Sequence, residues 1–185
     1  DNGVILKTDS RWRSWDVISV ASNYFNNDVS FTNDLNGIVV GYKLFYNKAI
    51  PQYLATILVT NDGGLTWSEK TPIIPGKFNS VISFDKDKAI AVGDAGLVAV
   101  TNDRGKKWDI RRISSCNLNE VKVCKSGVKI IVGDNGTLFI NREEDRYRWI
   151  DCSINTAYNI KSVCLRNANT FVITGEKKCI LNNKI

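Results

Sequence analysis

The chain has 185 residues, of which 43% are hydrophobic and 24% are charged, a balance typical of a globular protein and not of a disordered one. Histidine is absent, which excludes Ser-His-Asp and Cys-His catalysis and histidine-ligated metal sites. Twenty-five Lys and Arg against nineteen Asp and Glu give a net charge of +6, which suits an acidic partner surface but does not by itself indicate nucleic acid.

The chain carries no predicted targeting or membrane-spanning segment. Its longest apolar runs, such as residues 37–41 and 55–60, fall far short of the ~18 residues of a membrane-spanning helix. No basic start followed by an apolar stretch is present, so no signal peptide is predicted, and the absence of Met indicates a processed or excised piece. The cysteines lack CxxC spacing, so we expect no zinc site and mostly buried thiols; they are Cys116, Cys124, Cys152, Cys164 and Cys179.

The sequence repeats itself with a period of 41 residues, the spacing that separates Trp67 from Trp108 and Trp108 from Trp149. Each period contains apolar stretches that are too short for helices and are bounded by Gly, Asn or Asp. We predict four antiparallel strands per repeat, joined by tight hairpins. Such small sheets bury both faces only by stacking, so we predict an all-β fold, a β-propeller of four-stranded antiparallel blades with about four to five blades present. A β-sandwich with accidental repetition is the alternative.

In chain order, residues 1–27 are predicted to be a partial blade, because residues 4–8 and a strand after Trp15 match the third and fourth strands of later repeats. Residues 28–77 are the first complete blade. In this blade Gly41 and Thr60 are nineteen residues apart, where the later repeats have eight. The extra residues predict an insertion at residues 42–53, in the turn between the second and third strands.

The next two blades are predicted at residues 78–117 and 118–159, and a second partial blade at residues 160–185. In the blade at residues 78–117 the first three strands are predicted at residues 80–84, 89–94 and 97–101. In the blade at residues 118–159 they are predicted at residues 120–124, 129–134 and 137–141. In the second partial blade they are predicted at residues 160–165, 170–176 and 179–183. The predicted count is therefore two strands, three sets of four, and three more.

Two turns match a known octapeptide. Residues 60–67 read Thr-Asn-Asp-Gly-Gly-Leu-Thr-Trp, a full match to the Asp-box Ser/Thr-x-Asp-x-Gly-x-Thr-Trp, and residues 101–108 lack only its second Thr. In such a turn the Asp accepts backbone hydrogen bonds, the Gly adopts a left-handed conformation and the Trp packs as an apolar plug. The predicted structural residues are Thr60, Asp62, Gly64, Trp67, Thr101, Asp103, Gly105 and Trp108, and calcium binding by the two Asp is the alternative.

These turns resemble those of Asp-box (BNR) repeat β-propellers. The fuller pattern, Gly-Asp-x-Gly followed by the box, is most similar to the photosystem II assembly and stability factor-like propeller family, and the resemblance covers nearly the whole chain. It implies a binding scaffold without cofactors. Family members usually have about seven blades, against about four and a half repeats here. Because many related propellers work outside the cytosol, we expect an extracytoplasmic location in the periplasm, a lumen or secretion.

Asp-boxes also occur in sialidases and other glycoside hydrolases, so an enzyme is the competing interpretation. The Phe-Arg-Ile-Pro segment of sialidases is absent, and the acidic residues fall mainly at repeated turns instead of forming a placed pair. We therefore predict a non-enzymatic scaffold for protein–protein interaction, an assembly or stability factor within a larger complex, with no catalytic or metal-binding residues. A fragment of a carbohydrate-active protein, either a sialidase-like glycoside hydrolase or a lectin, is the alternative.

Two surfaces are predicted to bind partners. The insertion combines aromatic residues with flanking cations, which is typical of a protein-recognition anchor, through Tyr42, Lys43, Phe45, Tyr46, Lys48 and Tyr53. The fourth-strand turns form a predicted basic rim of Arg11, Arg13, Arg104, Lys106, Lys107, Arg142, Arg146 and Arg148. This rim suits an acidic protein or an anionic membrane surface, and no nucleic acid partner is expected because no aromatic stacking platform accompanies it. The alternatives are that some insertion aromatics fold back onto the scaffold and that the rim is simply solvated.

Overall fold

The computed structural model describes residues 3–9, 11–19, 23–47, 50–142, 148–176 and 180–184. Within them the chain forms seventeen β-strands and one short 3-10 turn at Asp94–Gly96. The strands are β1 (Val4–Lys7), β2 (Asp16–Ser19), β3 (Tyr24–Phe31), β4 (Gly37–Asn47), β5 (Ile50–Thr60), β6 (Ser68–Glu69), β7 (Phe78–Ser83), β8 (Ala89–Gly93), β9 (Leu97–Thr101), β10 (Asp109–Arg112), β11 (Leu118–Val123), β12 (Lys129–Gly133), β13 (Leu138–Asn141), β14 (Ile150–Asp151), β15 (Ile160–Asn167), β16 (Thr170–Gly175) and β17 (Ile180–Lys184).

Consecutive strands pair to form five sheets. Their orders are β1-β2, then β3-β4-β5-β6, β7-β8-β9-β10 and β11-β12-β13-β14, then β15-β16-β17. The registers show antiparallel pairing within these sheets. The all-β fold with four-stranded antiparallel sheets is therefore confirmed, and the described strands follow the predicted order of two, three sets of four, and three.

The turns between second and third strands repeat the same backbone. Ala95 and Gly96 join β8 to β9 with φ values of 50° and 70°, and Asn135 and Gly136 join β12 to β13 with φ values of 54° and 70°. Two successive left-handed residues are what a type I′ hairpin requires, and its twist matches that of the strands it joins. This requirement explains why a glycine recurs three residues after the end of β8 and of β12.

The chain divides into two compact units, Asp1–Ala89 with Thr101–Trp108 and Ile90–Val100 with Asp109–Ile185. The core of the first unit contains aliphatic side chains of β4 and β5, among them Val40 and Ile57, which are fully buried. The core of the second unit is a cluster contributed by β12, β13, β15 and β16. Strands such as β9, β12 and β13 are buried at every position, because apolar neighbours cover both faces of the sheet.

Neighbouring sheets of the first unit are linked by polar side chains at a β-bulge in β3. The side-chain amide of Asn27 donates to the carbonyl oxygen of Phe78 at 2.7 Å. The carboxylate of Asp28 accepts from the backbone N–H of Val81 at 2.8 Å and from the hydroxyl of Ser80 at 3.0 Å. The bulge thus turns two consecutive polar side chains toward the first strand of the next sheet.

The second unit repeats this link at the bulge in β11. Asn119 donates to the carbonyl oxygen of Ile160 at 2.8 Å. The Glu120 carboxylate accepts from the backbone N–H of Val163 at 2.6 Å and from the hydroxyl of Ser162 at 2.8 Å. An amide followed by a carboxylate is therefore the recurring polar connection between first strands of adjacent sheets.

Candidate protein-binding surfaces

Residues 42–53 lengthen one hairpin. Strands β4 and β5 pair without a break from Gly37 opposite Thr60 to Asn47 opposite Ile50, so both strands run eleven residues where β8 and β9 have five. Side chains alternate between the two faces of the hairpin. Tyr42 and Tyr46 therefore share one face, and Phe45 lies on the other. This outer part, residues 42–47 with 50–53, is called the insertion hairpin below.

One face of the insertion hairpin is fixed by stacked aromatic rings. The rings of Phe25 and Tyr42 stack with centroids 4.8 Å apart, and Tyr53 meets Tyr42 edge-on at 5.4 Å. The Lys77 ammonium nitrogen lies 4.5 Å from the Tyr42 ring centroid and 4.1 Å from that of Tyr53. Cation–π contacts at partly exposed sites contribute about 0.5–1 kcal/mol each. Tyr42 and Tyr53 therefore brace the hairpin on the scaffold.

The other face is fixed at its base by an ion pair. The ammonium group of Lys43 lies 2.7 and 2.8 Å from the two carboxylate oxygens of Glu69, and the Tyr24 hydroxyl donates to the same carboxylate at 2.6 Å. Burial opposes the charged form of Lys43, but the hydrogen bond and charge of Glu69 outweigh it and raise the Lys43 pKa. Burial, with the Glu69 hydrogen bond, also raises the pKa of Tyr24. The structure thus places Lys43 in an internal network.

The tip of the insertion hairpin leaves three apolar side chains in solvent. Phe45 is 52% exposed, Tyr46 63% and Ile50 67%. Lys48, which the sequence also assigned to this surface, lies outside the described residues. Sequence reasoning missed Ile50 as a member of this surface. Its position across the turn from Phe45 and Tyr46 could have identified it. Sequence reasoning also missed Lys77, which belongs to the segment between two sheets and carried no such signal. A braced hairpin with an apolar tip is suited to insertion into a cleft of another protein.

The first full Asp-box turn is closed by its own side chains. Asp62 accepts hydrogen bonds from the backbone N–H groups of Leu65 and Thr66, both at 3.0 Å, and from the hydroxyls of Thr60 and Thr66 at 2.7 and 2.6 Å. The Trp67 indole donates to the carbonyl oxygen of Gly64 at 3.2 Å. The hydrogen bonds from Thr66, followed by those from Thr60 and Leu65, hold the Asp62 pKa well below its usual range. The Asp62 carboxylate is therefore engaged in hydrogen bonds within its own turn.

The second Asp-box has the same geometry without the second Thr. Asp103 accepts from the Thr101 hydroxyl at 2.8 Å and from the Lys107 backbone N–H at 3.0 Å, and Trp108 donates to Gly105 at 3.0 Å. Burial favours the neutral acid, but these hydrogen bonds outweigh it and lower the Asp103 pKa. Gly105 has a φ of 78°, the left-handed conformation in which glycine carries no steric cost.

Residues 8–15 are an earlier, decayed copy of the Asp-box, which keeps the Thr and the Trp but has Ser10 and Trp12 at the Asp and Gly positions. This copy has the same left-handed backbone without glycine. Arg11 and Trp12 have φ values of 52° and 64°, where the full boxes have Gly63 and Gly64 or Arg104 and Gly105. Side chains other than Gly, Asn and Asp rarely adopt this conformation, and a bulky residue there is strained. Trp12 is also 78% exposed, so packing does not offset the strain.

The cations of the predicted basic rim are divided between the two units. In the first unit Arg11, Arg13, Lys106 and Lys107 are exposed. Arg104 pairs with Asp87, with its Nε 2.9 Å from a carboxylate oxygen. The full Asp-box at residues 60–67 contributes no cation, so the basic turns of this unit are not consecutive. A groove of about 410 Å³ beside that box is lined by Asn61, Thr66, Lys70, Arg104 and Lys106.

In the second unit Arg142 and Arg148 are exposed, and an Arg142 guanidinium nitrogen lies 3.5 Å from the side-chain oxygen of Asn169. Arg146 lies outside the described residues. The described residues of the predicted rim thus belong to two different units. The rim in each unit consists of exposed cations, with Arg104 partly neutralised by its acidic neighbour.

The cysteines depart from the expectation of mostly buried thiols. Among the described residues Cys152 and Cys164 are exposed, Cys116 and Cys124 are half-buried, and all four are free thiols. That prediction is wrong for Cys152 and Cys164, because each lies where the sheet surface meets solvent.

Within the described ranges no three Cys, Asp or Glu side chains are grouped as a metal ion would require. The same residues include no α-helix with the length and apolar character needed to cross a bilayer.

Comparison with known proteins gives a family and a fold. The family model described as photosynthesis system II assembly factor YCF48 matches residues 7–118, more than half of the chain. The solved structure "YCF48 bound to D1 peptide" is 18% identical, with a TM-score of 0.67 over 97% of this chain and 58% of that one. YCF48 from Cyanidioschyzon merolae is 20% identical, with a TM-score of 0.66 over 94% of this chain and 58% of that one. No curated protein matches significantly.

The chain therefore spans less than two thirds of the length of these solved structures. At such low identity the likeness shows the fold alone, and that fold is the β-propeller predicted from the 41-residue period. The partial coverage agrees with a partial set of blades. Since the family model extends from the first Asp-box copy through the second complete blade, the chain belongs to the photosystem II assembly factor YCF48 family.

Proposed function

We propose that the chain is a non-enzymatic β-propeller scaffold that binds another protein and serves as an assembly or stability factor within a larger complex. The observation that carries this proposal is the braced insertion hairpin with Phe45, Tyr46 and Ile50 exposed at its tip. Rigid aromatic side chains lose little conformational entropy when a partner covers them. The contacts of Tyr42 and Tyr53 with Lys77 hold the hairpin in place before the partner arrives.

Family membership supports the same function. A similar solved structure is described as bound to D1 peptide, so a D1 peptide is the first ligand to test on this chain. An extended peptide could lie along the hairpin and cover its apolar tip. The exposed cations of the basic rim favour a partner with an acidic surface, since complementary charge raises the rate and selectivity of association. An anionic membrane surface is the second partner class for the rim, and an extracytoplasmic location is part of this proposal.

We also propose that the chain has no catalytic activity. The hydrogen bonds of the acidic side chains in the repeats support this proposal. Asp62 and Asp103 are occupied by hydrogen bonds within their own turns, and Asp28 and Glu120 are occupied by links to the next sheet. None of these carboxylates is left to act as a general acid or nucleophile. A screen against sialosides and other glycans tests this point, and turnover that disappears with a single carboxylate substitution would contradict it.

The binding proposal is tested by replacing Phe45 and Tyr46 together with Ser and titrating a D1 peptide. We expect the double variant to bind at least ~10-fold more weakly, because truncating a buried aromatic anchor typically costs more than about 1.4 kcal/mol. The matched control replaces Leu65 and Ile73 with Ser, since both are exposed apolar residues outside the hairpin. Equal affinity of the double variant and wild type removes the insertion hairpin from the site. A wild-type chain that does not bind the peptide removes this ligand.

A further inference from the structure

One face of the insertion hairpin carries a row of tyrosines. In the register of β4 and β5, Leu44 lies opposite Tyr53 and Tyr46 lies opposite Pro51, while Tyr42 stands two residues before Leu44. Directly opposite residues, and alternate residues of one strand, share a face of the sheet. Tyr42, Tyr46, Pro51 and Tyr53 therefore form a single surface, which is called the tyrosine face below.

The tyrosine face lies on the side of the hairpin toward β7. Asp28 shares this face, since it lies opposite Val40, and its carboxylate accepts the N–H of Val81 on β7 at 2.8 Å. The neighbouring strand is thus in place beside the base of the hairpin. Tyr53 nevertheless remains 45% exposed and Tyr46 63% exposed. Two exposed aromatic rings on one braced face offer a large contact area at little cost in conformational entropy, so they are suited to bind a partner.

The outer edge of β5 is closed to a further strand. The N–H of Gly76 donates to the carbonyl oxygen of Tyr53, and the N–H of Ala55 donates to that of Ile74, both at 2.9 Å, so the segment after β6 already occupies this edge. Backbone groups point to one edge at every second residue, and the next such position toward the tip is Pro51, which has no N–H. Recognition on this side therefore uses the side chains of the tyrosine face instead of a main-chain ladder.

The spacing of the tyrosines fits a proline ring. Tyr46 and Tyr53 are diagonal neighbours across two antiparallel strands, an arrangement that separates residues by about 7–8 Å. Carbon atoms in optimal contact are about 3.5–4.0 Å apart, so a flat apolar ring placed between the two tyrosines contacts both. A polyproline II helix presents such rings, and its backbone carbonyls, which make no internal hydrogen bonds, can accept from tyrosine hydroxyls. The tyrosine face thus matches a proline-rich segment better than a strand-forming one.

Lys77 indicates the charge of the ligand. Its ammonium nitrogen lies 4.5 Å from the ring centroid of Tyr42 and 4.1 Å from that of Tyr53. Among the described residues this ammonium group contacts two rings but pairs with no carboxylate. A carboxylate of the ligand would therefore find a complementary charge at the inner end of the tyrosine face. The ligand that fits is a proline-rich segment with an acidic residue at one end.

We propose that the tyrosine face binds a proline-rich segment of a partner protein in the polyproline II conformation, with an acidic residue of that segment paired with Lys77. A proline ring lies between Tyr46 and Tyr53, and the tyrosine hydroxyls donate to backbone carbonyls of the segment. Such a segment already has its bound conformation when free, so little entropy is lost on binding. This inference rests on the proposed function, because it names the class of partner that the insertion hairpin recognises.

The test titrates the whole chain with a proline octapeptide that ends in a glutamate pair. We expect it to bind at least ~10-fold more tightly than a Gly-Ser octapeptide with the same glutamate pair, a change of about 1.4 kcal/mol. Tyr46→Ala should weaken binding by a similar factor, and Phe45→Ala, on the opposite face, should weaken it less. Lys77→Met should remove the preference for this peptide over one that ends in a lysine pair. Tyr158→Ala is the matched control, because Tyr158 is 42% exposed and lies in the other unit.

The comparison of peptides on the wild-type chain keeps the test decisive if a protein variant misfolds. The proposal is overturned if the proline peptide does not bind, if the Gly-Ser peptide binds equally well, or if Phe45→Ala costs as much affinity as Tyr46→Ala. Tighter binding of a strand-forming peptide of alternating Val and Thr with the same glutamate pair would also overturn it. The proposed function is judged separately, because a D1 peptide that depends on the insertion hairpin supports that function even when no proline-rich peptide binds.

Discussion

At the scale of single residues, the carboxylate of Asp62 links the stability of the first full Asp-box to pH. Its hydrogen bonds hold the folded-state pKa below the usual value of about 3.9. A depressed folded-state pKa gives stability that is present above the unfolded-state pKa and is lost as pH falls through the folded-state value. We therefore expect Asp62→Asn to lower the melting temperature at pH 7, with a difference from wild type that shrinks steadily below about pH 4.

Thermal unfolding between pH 7 and pH 2 checks this prediction. The control is Asp34→Asn, because Asp34 is exposed on another turn of the same sheet. A difference between Asp62→Asn and wild type that stays constant down to pH 2 would contradict the assignment of the pH dependence to this turn.

Trp12 gives a prediction of the opposite sign. Its φ of 64° is strained for a bulky residue, and 78% of its surface is exposed, so the side chain contributes little packing. We expect Trp12→Gly to raise the free energy of unfolding by about 0.5–1 kcal/mol, because glycine adopts this conformation without steric cost. Trp12→Ala removes the same ring and keeps the strain, so it should give no such gain in a denaturant titration. Equal stability of the two variants would count against strain at this position.

Predictions about single side chains from sequence were less complete than those about strands. Thr60, Asp62 and Trp67 could be assigned to one turn because their spacing is short and the motif is local. Lys43 was assigned to a partner, but it pairs with Glu69, twenty-six residues away. Spacing along the chain does not show which distant acid a strand residue meets. For the same reason Lys77 was missed.

At the scale of strands, the bulge carboxylates Asp28 and Glu120 link adjacent sheets within their units. Each accepts one backbone N–H and one hydroxyl from the next first strand. Leaving these donors unpaired should cost about 1–3 kcal/mol per site, so we expect Asp28→Ala and Glu120→Ala each to destabilise the chain by that amount. The effects should add in the double variant, because the residues share no partner.

Denaturant titration of the two single variants and the double variant measures these costs. Glu176→Ala is the control, because Glu176 is exposed and its hydrogen bonds from Asn159 are long, at 3.3 Å. Losses no larger than that of Glu176→Ala would show that the carboxylates add little to the contact between sheets.

The brace of the insertion hairpin gives a further prediction for a structural element. Lys77 contacts two tyrosine rings, each contact contributing about 0.5–1 kcal/mol. We expect Lys77→Met to speed amide hydrogen exchange in residues 42–47 and to leave β8 and β9 unchanged. Lys86→Met removes a charge at an exposed position with only a long contact to Asp87, at 4.0 Å, and serves as the control. Equal exchange in Lys77→Met and wild type would mean that ring stacking alone holds the hairpin.

Strand bounds could be predicted closely where turns are short. β9 has the predicted bounds, Leu97–Thr101, because Gly96 and the following Asp-box fix both ends. β7 begins two residues before its prediction, at Phe78, whose side chain is fully buried, and it ends one residue before its prediction, at Ser83. The bulges in β3, β11 and β15 were not predicted. A bulge inserts one extra residue, which shifts the alternation of polar and apolar residues but adds no motif that could be recognised in the sequence.

At the scale of the whole molecule, the net charge of +6 should make association with an acidic partner depend on salt. Exposed charges are largely screened beyond about 8 Å at 0.15 M ionic strength and beyond about 3 Å at 1 M. We expect the association rate with an acidic peptide to fall about tenfold or more between 0.05 and 0.5 M salt. Stopped-flow measurement on Lys106→Gln/Lys107→Gln, compared with Lys125→Gln outside the rim, tests the contribution of the rim. Rates that do not respond to salt would contradict an electrostatic role.

The repeat period predicted the sheets, but it did not predict which side chains of β3 stay exposed. Val29 is 53% exposed, although its residue type does not differ from that of many buried residues. Whether a side chain is covered depends on the neighbouring sheet, and that sheet is distant in sequence.

The unbroken pairing of the insertion hairpin limits how its length can change. Phe45 and Tyr46 point to opposite faces because they are adjacent on β4, while the stack of Tyr42 on Phe25 sets which face is which. Adding one residue to each strand below the tip would exchange the two aromatic side chains between the faces, whereas adding two would restore them. We therefore expect functional relatives with longer or shorter hairpins to differ from this chain by an even number of residues in each strand. An even difference keeps each aromatic side chain on the face that contacts the partner.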